Sequence, residues 1–270
     1  MKKMTFAVWF TALLAVFTFS SCLDSDDNAT RAGSEIVQVT GYMGLYSFQS
    51  AGGYEIIPSN QSAINMTIET KYAYVTYSYQ TADVVEGMKK LKAEIYSLLP
   101  IPDKMLNSNV EAIKTFANAP IRNITYGASY EFFPISFWDV NTMFLPINYF
   151  IKDSSDKEAL KKEVQSHNFE VFYDLNDPAM ESSNDLILYV RHNVMEPELN
   201  KDRNFRVNTN IYWMDLRYVM SSYEQKNGKK PSRLIIQYEQ NATGEYDEHQ
   251  IVPTRVEIDY SAILQSAEKK

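Results

Sequence analysis

Tyr72-Ala73-Tyr74-Val75-Thr76-Tyr77-Ser78-Tyr79 decides how this chain folds. Tyr72, Tyr74, Thr76 and Ser78 fall on one side of an extended segment, and Ala73, Val75, Tyr77 and Tyr79 on the other. A helix would scatter both sets around its axis. The alternation predicts a strand, and its aromatic and β-branched residues suit a pleated surface. Upstream, within Glu35 to Met43, Val37 and Val39 alternate with Gln38 and Thr40, and Ile36 breaks the pattern. Tyr54 to Ile57 follows the turn signal Gly52-Gly53. Together these short strands predict a small barrel.

Downstream, the periodicity is ambiguous. Val84, Met88, Leu91, Ile95 and Leu98 recur at helical spacing, which predicts a helical insert over 84–99. Leu91, Ala93 and Ile95 taken alone also fit a strand. Pro100 and Pro102 end the element in either case. A short helix is expected within Asn109 to Ala119, and the boundary between two domains is expected between residues 115 and 116.

The second half is again strand-rich. Apolar runs cover 132–138 and 144–150. Ser155-Asp156-Lys157-Glu158 is a capping-box pattern, and Leu160 and Val164 follow at helical spacing, so 155–166 is a predicted helix. Strands are expected at 169–173, 186–191, 206–216, 233–239 and 255–260. Asn227-Gly228 reads as a tight turn between two of them. Short strands separated by such turns predict an antiparallel β-sandwich over 116–270. The fold class is mainly β, with one or two helical inserts. Nineteen tyrosines and fourteen phenylalanines agree with that reading.

The N-terminus gives an address. Lys2 and Lys3 precede an uncharged apolar run from Phe6 to Phe19, then Ser20, Ser21 and Cys22, the sole cysteine. The run is shorter than the roughly 20 residues of a spanning helix and has the order of a secretory signal. Residues 1–21 are therefore expected to be removed, and Cys22 to be lipidated. Residues 22–34 read as a flexible tether, acidic at Asp24, Asp26 and Asp27. These features predict an outer-membrane lipoprotein facing the cell surface, held to the membrane through Cys22. With one cysteine, no intramolecular disulfide can form, so the core alone must hold the fold.

Without residues 1–21 the chain keeps 24 basic and 34 acidic residues, a net charge of −10. That balance argues against nucleic acid as a partner. His167, His192 and His249 show no metal-ligand spacing to one another or to cysteine, so no metal is expected. No nucleophile elbow, phosphate loop or dinucleotide fingerprint is present, and no cofactor is expected. A carboxylate pair for glycoside hydrolysis would be distant in sequence and cannot be picked from thirty-four acids. Sequons at Asn28, Asn60, Asn65, Asn123 and Asn241 carry little weight as three-residue patterns. Tyr130, Phe132, Phe133, Phe137 and Trp138 could stack on sugar rings, but core filling is the commoner role for such residues, as for Trp213.

Leu186-Ile187-Leu188-Tyr189-Val190-Arg191-His192-Asn193 resembles a recurring strand of the NigD-like lipoproteins of Bacteroides. Ile211 to Arg217 and Lys229 to Tyr238 resemble later strands of that family. The Cys22-Leu23-Asp24 start and Ala73 to Tyr77 match its front end. The resemblance implies an N-terminal OB-like barrel over 35–115 and a C-terminal sandwich. It implies no enzymatic activity and carries no functional residues. Arg191-His192-Asn193 reads as a turn after an apolar strand, with Asn193 bonding backbone groups. The expected function is a non-enzymatic binding or accessory protein of the envelope, with a glycan or a neighbouring envelope protein as partner. The alternative is a glycan hydrolase.

Overall fold

The alternation of Tyr72–Tyr79 belongs to a strand in a closed barrel. The computed structural model describes residues 29–42, 45–64, 67–85, 87–115, 118–127, 133–180, 184–195, 205–241 and 251–268. Cys22 and the expected signal segment lie outside the described residues. Strands make up 54% of the structure, so the mainly β reading holds. The described residues form two compact units divided between Pro102 and Asp103.

The first unit holds β1 (Thr30–Tyr42), β2 (Leu45–Ser50), β3 (Glu55–Pro58), β4 (Tyr72–Gln80) and β5 (Lys90–Ile101). They close in the order β1-β2-β3-β5-β4. β3 and β5 are parallel, and the other neighbours are antiparallel. This is the five-stranded OB arrangement. Val37, Phe48, Ile56, Ala73, Val75, Leu91 and Ala93 fill the interior. Each large side chain buried there contributes about 1.5–3 kcal/mol over leaving it exposed.

Two expectations need correction here. Residues 30–34 are not tether: Thr30 to Ser34 form the start of β1 and pair with Thr76 to Gln80. Residues 90–101 are not helical: they form β5. The misleading helical spacing has a structural cause. Thr76 pairs with Ser97 but Tyr77 pairs with Ile95, which leaves Tyr96 as an extra residue in β5. The inward face therefore runs Leu91, Ala93, Ile95, then Leu98. A bulge shifts the phase of a strand by one residue, and the resulting gap of three imitates a helix.

The second unit opens with β6 (Leu106–Asn107) and α1 (Val110–Thr115). β6 pairs with β9 (His167–Tyr173), which places 106–115 in this unit. β5 runs on to Ile101 in the barrel, so the division falls earlier than the expected 115/116. One sheet has five strands in the order β13-β12-β10-β9-β6, with β10 (Asp185–Val194), β12 (Arg233–Asn241) and β13 (Ile251–Asp259). The other has three, β11-β8-β7, with β7 (Ser136–Asp139), β8 (Thr142–Lys152) and β11 (Phe205–Asp215). One apolar cluster draws on both sheets, from Leu145, Ile147 and Ile151 to Val171, Leu188 and Ile236.

The larger sheet is mixed, not purely antiparallel: β10 lies parallel to β12, and β6 to β9. Parallel neighbours need a long crossover. β11 and α3 (Arg217–Asn227) supply it. Asn227-Gly228 therefore ends a helix instead of turning a hairpin. Gly228 takes φ 71° and donates its N–H to the Glu224 carbonyl at 2.8 Å. Hairpin turns and helix C-caps both favour positive φ, so the dipeptide suits either. The expected helix appears as α2 (Lys157–Ser166), capped by Asp156, whose carboxylate accepts from the N–H groups of Glu158 and Ala159. Tyr260, expected to end a strand, opens α4 (Tyr260–Ala267), capped by Asp259.

Candidate functional site

The outer face of the barrel presents a continuous polar row. Gln38 pairs with Gln49, Gln49 with Glu55, and Glu55 with Lys90, so one row crosses β1, β2, β3 and β5. Alternation turns these side chains outward while Val37, Phe48, Ile56 and Leu91 point in. Lys90 Nζ lies 3.7 Å from Glu55 Oε2. Gln49 Nε2 donates to the Tyr54 carbonyl at 3.1 Å and to the Ser50 carbonyl at 3.3 Å, which fixes its amide plane. Beside this row, Thr40 and Ser47 share a hydroxyl contact of 2.8 Å. Amides, hydroxyls and one charge of each sign can donate to and accept from a polyhydroxylated ligand.

Inside the same barrel sits a buried carboxylate. Glu35 is 8% exposed and accepts three hydroxyl hydrogen bonds. Tyr54 and Tyr77 donate to Oε1, each at 2.6 Å, and Ser50 donates to Oε2 at 2.5 Å. Burial, then the hydrogen bond to Glu35, pushes the Tyr54 phenol up to about 12. Burial and the Glu35 charge push Tyr77 higher still. Both phenols stay protonated donors at any physiological pH. Gly33 makes the cluster possible: a Cβ there would lie 2.8 Å from Tyr77 Cζ.

The second unit brings two histidines together. His192 pairs with Phe169 in the register of β9 and β10, and His167 pairs with Val194. The diagonal puts His167 Nδ1 2.8 Å from His192 Nε2. His192 Nδ1 lies 2.9 Å from the Pro120 carbonyl oxygen, and His167 Nε2 lies 3.3 Å from Glu163 Oε1. The rings stack at 5.1 Å, and Phe169 stacks on His192 at 4.3 Å. Burial pushes His192 down to about 3. Burial also lowers His167, with Glu163 opposing. Spacing alone hid this pair, because the two residues meet only through strand register.

Arg191-His192-Asn193 is thus strand, not turn: all three pair with β9. Arg191 Nε donates to the Ile113 carbonyl at 2.8 Å. Phe133 is 39% exposed, whereas Phe137 and Trp138 are half-buried, and Phe137 lies 6.4 Å from the Tyr260 ring. Trp213 is also half-buried. Of the sequons, Asn241 is fully buried, and Asn60 spends its amide on the backbone of Ile95. Asn28, Asn65, His249, Tyr130 and Phe132 lie outside the described residues. Among the described residues, no group of three His, Cys, Asp or Glu is placed to hold a metal ion, and no helix is long and apolar enough to cross a membrane.

No family model matches the sequence, and no curated protein matches it. Solved structures do. The crystal structure of a candidate lipoprotein from Bacteroides fragilis superposes with a TM-score of 0.69 at 23% identity, over 85% of this chain and 98% of that one. A protein of unknown function from Bacteroides vulgatus gives a TM-score of 0.48 at 10% identity, over 85% and 90%. A NigD-like immunity protein from Bacteroides caccae gives 0.46 at 14% identity, over 84% and 91%. The chain shares its fold with the Bacteroides fragilis protein, and a NigD-like chain stands among its structural neighbours.

Proposed function

We propose that this protein is a lipid-anchored protein of the cell envelope, facing outward, that binds a glycan on the outer face of its barrel and carries out no chemistry of its own. The observation that carries the reading is the Gln38–Gln49–Glu55–Lys90 row across four strands. On OB barrels, the face around the second and third strands is the one used for oligosaccharides and oligonucleotides. That step is an analogy of fold. The net charge of −10 beyond the signal segment favours the neutral ligand over the polyanion. The anchor reading rests on the signal order ending at Cys22. Its fold is also that of a candidate lipoprotein from Bacteroides fragilis.

Cleavage of a glycan would need two carboxyl groups about 5–9 Å apart across an open cleft. Glu35, around which the barrel gathers hydroxyls, is buried and already accepts three hydrogen bonds. Glu35 is thereby withdrawn from any such pair.

A glycan array probed with the purified chain tests the proposal, with the Glu55→Ala, Lys90→Ala double variant as control. An exposed ion pair adds at most about 1 kcal/mol to stability, so the variant should remain folded. Binding that weakens in the variant supports the assigned face, and undiminished binding refutes it. Silence across all sugars refutes the glycan reading and directs the search to protein partners, by crosslinking in the intact envelope. Metabolic labelling with a fatty-acid analogue tests the anchor: Cys22→Ala should abolish the label, and equal labelling would overturn it.

A further inference from the structure

The buried line Pro120–His192–His167–Glu163 needs more hydrogens than two neutral imidazoles provide. It has three polar contacts: His192 Nδ1 to the Pro120 carbonyl, His192 Nε2 to His167 Nδ1, and His167 Nε2 to Glu163 Oε1. Each contact needs one hydrogen between its two atoms. A neutral imidazole carries one, so two of them fill only two of the three contacts.

The order of filling follows from the fixed end. The Pro120 carbonyl only accepts, so the hydrogen there sits on His192 Nδ1. His192 is 2% exposed, and a second proton on it would be a charge in a dry site. Its Nε2 is therefore a bare acceptor, and His167 Nδ1 carries the hydrogen between the rings. That leaves His167 Nε2 with a lone pair facing Glu163 Oε1 at 3.3 Å. The same Oε1 already accepts the backbone N–H of Lys152 at 3.0 Å, so it too presents a lone pair. Two bare acceptors in contact repel, and with the His167 and Glu163 side chains 5% and 17% exposed, water screens little of that cost.

We propose that this unit holds a third proton at neutral pH, shared in the His167–Glu163 contact, and that its loss on alkalinisation is a switch built into the second unit. Burial pulls His167 toward the neutral form and Glu163 pulls the other way; the two facing lone pairs that release would leave 3.3 Å apart decide for retention. The groups around the site agree. From α2 comes Glu163, from β10 His192, and from β8 Tyr149 and Lys152; Tyr212 of β11 lies beyond Phe169 of β9. Burial holds the Tyr149 phenol up at about 12, so Tyr149 is neutral, and Glu163 is the acidic group in hydrogen-bond contact with His167. The Lys152 charge opposes the proton, and the Glu163 contact outweighs it by proximity.

The location gives the proton leverage. The N–H groups of Asn118 and Ala119 donate to the His192 carbonyl, and Asn118 bonds Val194 through its side chain in both directions. The next residues reach both sheets: Ile121 N–H donates to the Glu239 carbonyl in β12, and Arg122 N–H to the Asn148 carbonyl in β8. The line thus joins α2 to the segment that staples the two sheets. Releasing the proton breaks one link between them.

The sign is definite. Above the unfolded histidine pKa of about 6.5, the unfolded chain carries no proton on either ring while the folded unit keeps one, so stability falls as pH rises. The test is urea denaturation of the full chain, purified in detergent, from pH 7 to pH 9. The unfolding constant of the wild type should rise more steeply than that of Glu163→Gln, by about tenfold per pH unit while the folded site keeps its proton. Glu163→Gln offers His167 a hydrogen that does not titrate. Parallel curves for the two would overturn the proposal. Two-bond 1H–15N spectra of the wild type give an independent reading that does not depend on the variant folding. Hydrogens on Nδ1 of both His167 and His192, together with a third hydrogen at His167 Nε2, support the assignment at pH 7.5. A hydrogen on His192 Nε2, none on His167 Nδ1, or a bare His167 Nε2 would overturn it.

Discussion

Gly33 and Tyr77 face each other across β1 and β4, and the Tyr77 ring fills the space a side chain on Gly33 would occupy. The absent Cβ lets the phenol reach Glu35. Gly33→Ala should push the ring away and disturb the hydroxyl cluster, at a cost of about 1–3 kcal/mol. Chemical denaturation measures it; an unchanged midpoint would show that the ring adapts freely.

The alkaline limit of the barrel should be set in part by Tyr54 and Tyr77. Burial, with the Glu35 contacts, raises both, Tyr54 to about 12. The unfolded chain loses these protons from about pH 10, while the fold retains them, so their contribution is full below pH 10 and lost as pH rises toward 12. Tyr54→Phe with Tyr77→Phe should flatten stability against pH in that window. An unaltered slope would count against the network.

His192 makes an acid-side prediction of the opposite sign. Burial holds it neutral in the fold down to about pH 3. The unfolded chain takes up a proton below about pH 6.5, so stability falls as pH drops from there toward 3. His192→Asn, with an amide to donate to the Pro120 carbonyl, should reduce the slope by one proton between pH 6 and 4. Equal slopes in wild type and variant would place the titration elsewhere.

Gly228 closes α3 in the left-handed region, at φ 71°. Gly228→Ala should cost about 1–2 kcal/mol, because Cβ disfavours that conformation. The thermal midpoint reads this directly, and a rise in midpoint would contradict it.

Local patterns carried the strand content, since alternation in Tyr72–Tyr79 and apolar runs such as Leu186–Val190 leave few other ways to bury side chains. The capped helix after Asp156 was legible for the same reason: its cap and its apolar spacing lie close together in sequence. What failed depended on partners. The helical spacing of Leu91, Ile95 and Leu98 came from the extra residue Tyr96, and a bulge exists only once β5 pairs with β4. Asn227-Gly228 required positive φ but did not say whether a helix or a hairpin would use it. Glu35 lies in a strand with nothing beside it to mark it as buried, and Ser50, Tyr54 and Tyr77 reach it only when the barrel closes. His167 and His192 became neighbours through one choice of register between β9 and β10. The sequence by itself determined which segments could be strands, because that follows from local periodicity and composition. Tertiary structure alone decided which polar groups share a dry interior, because hydrogen-bond partners distant in sequence are chosen by strand pairing.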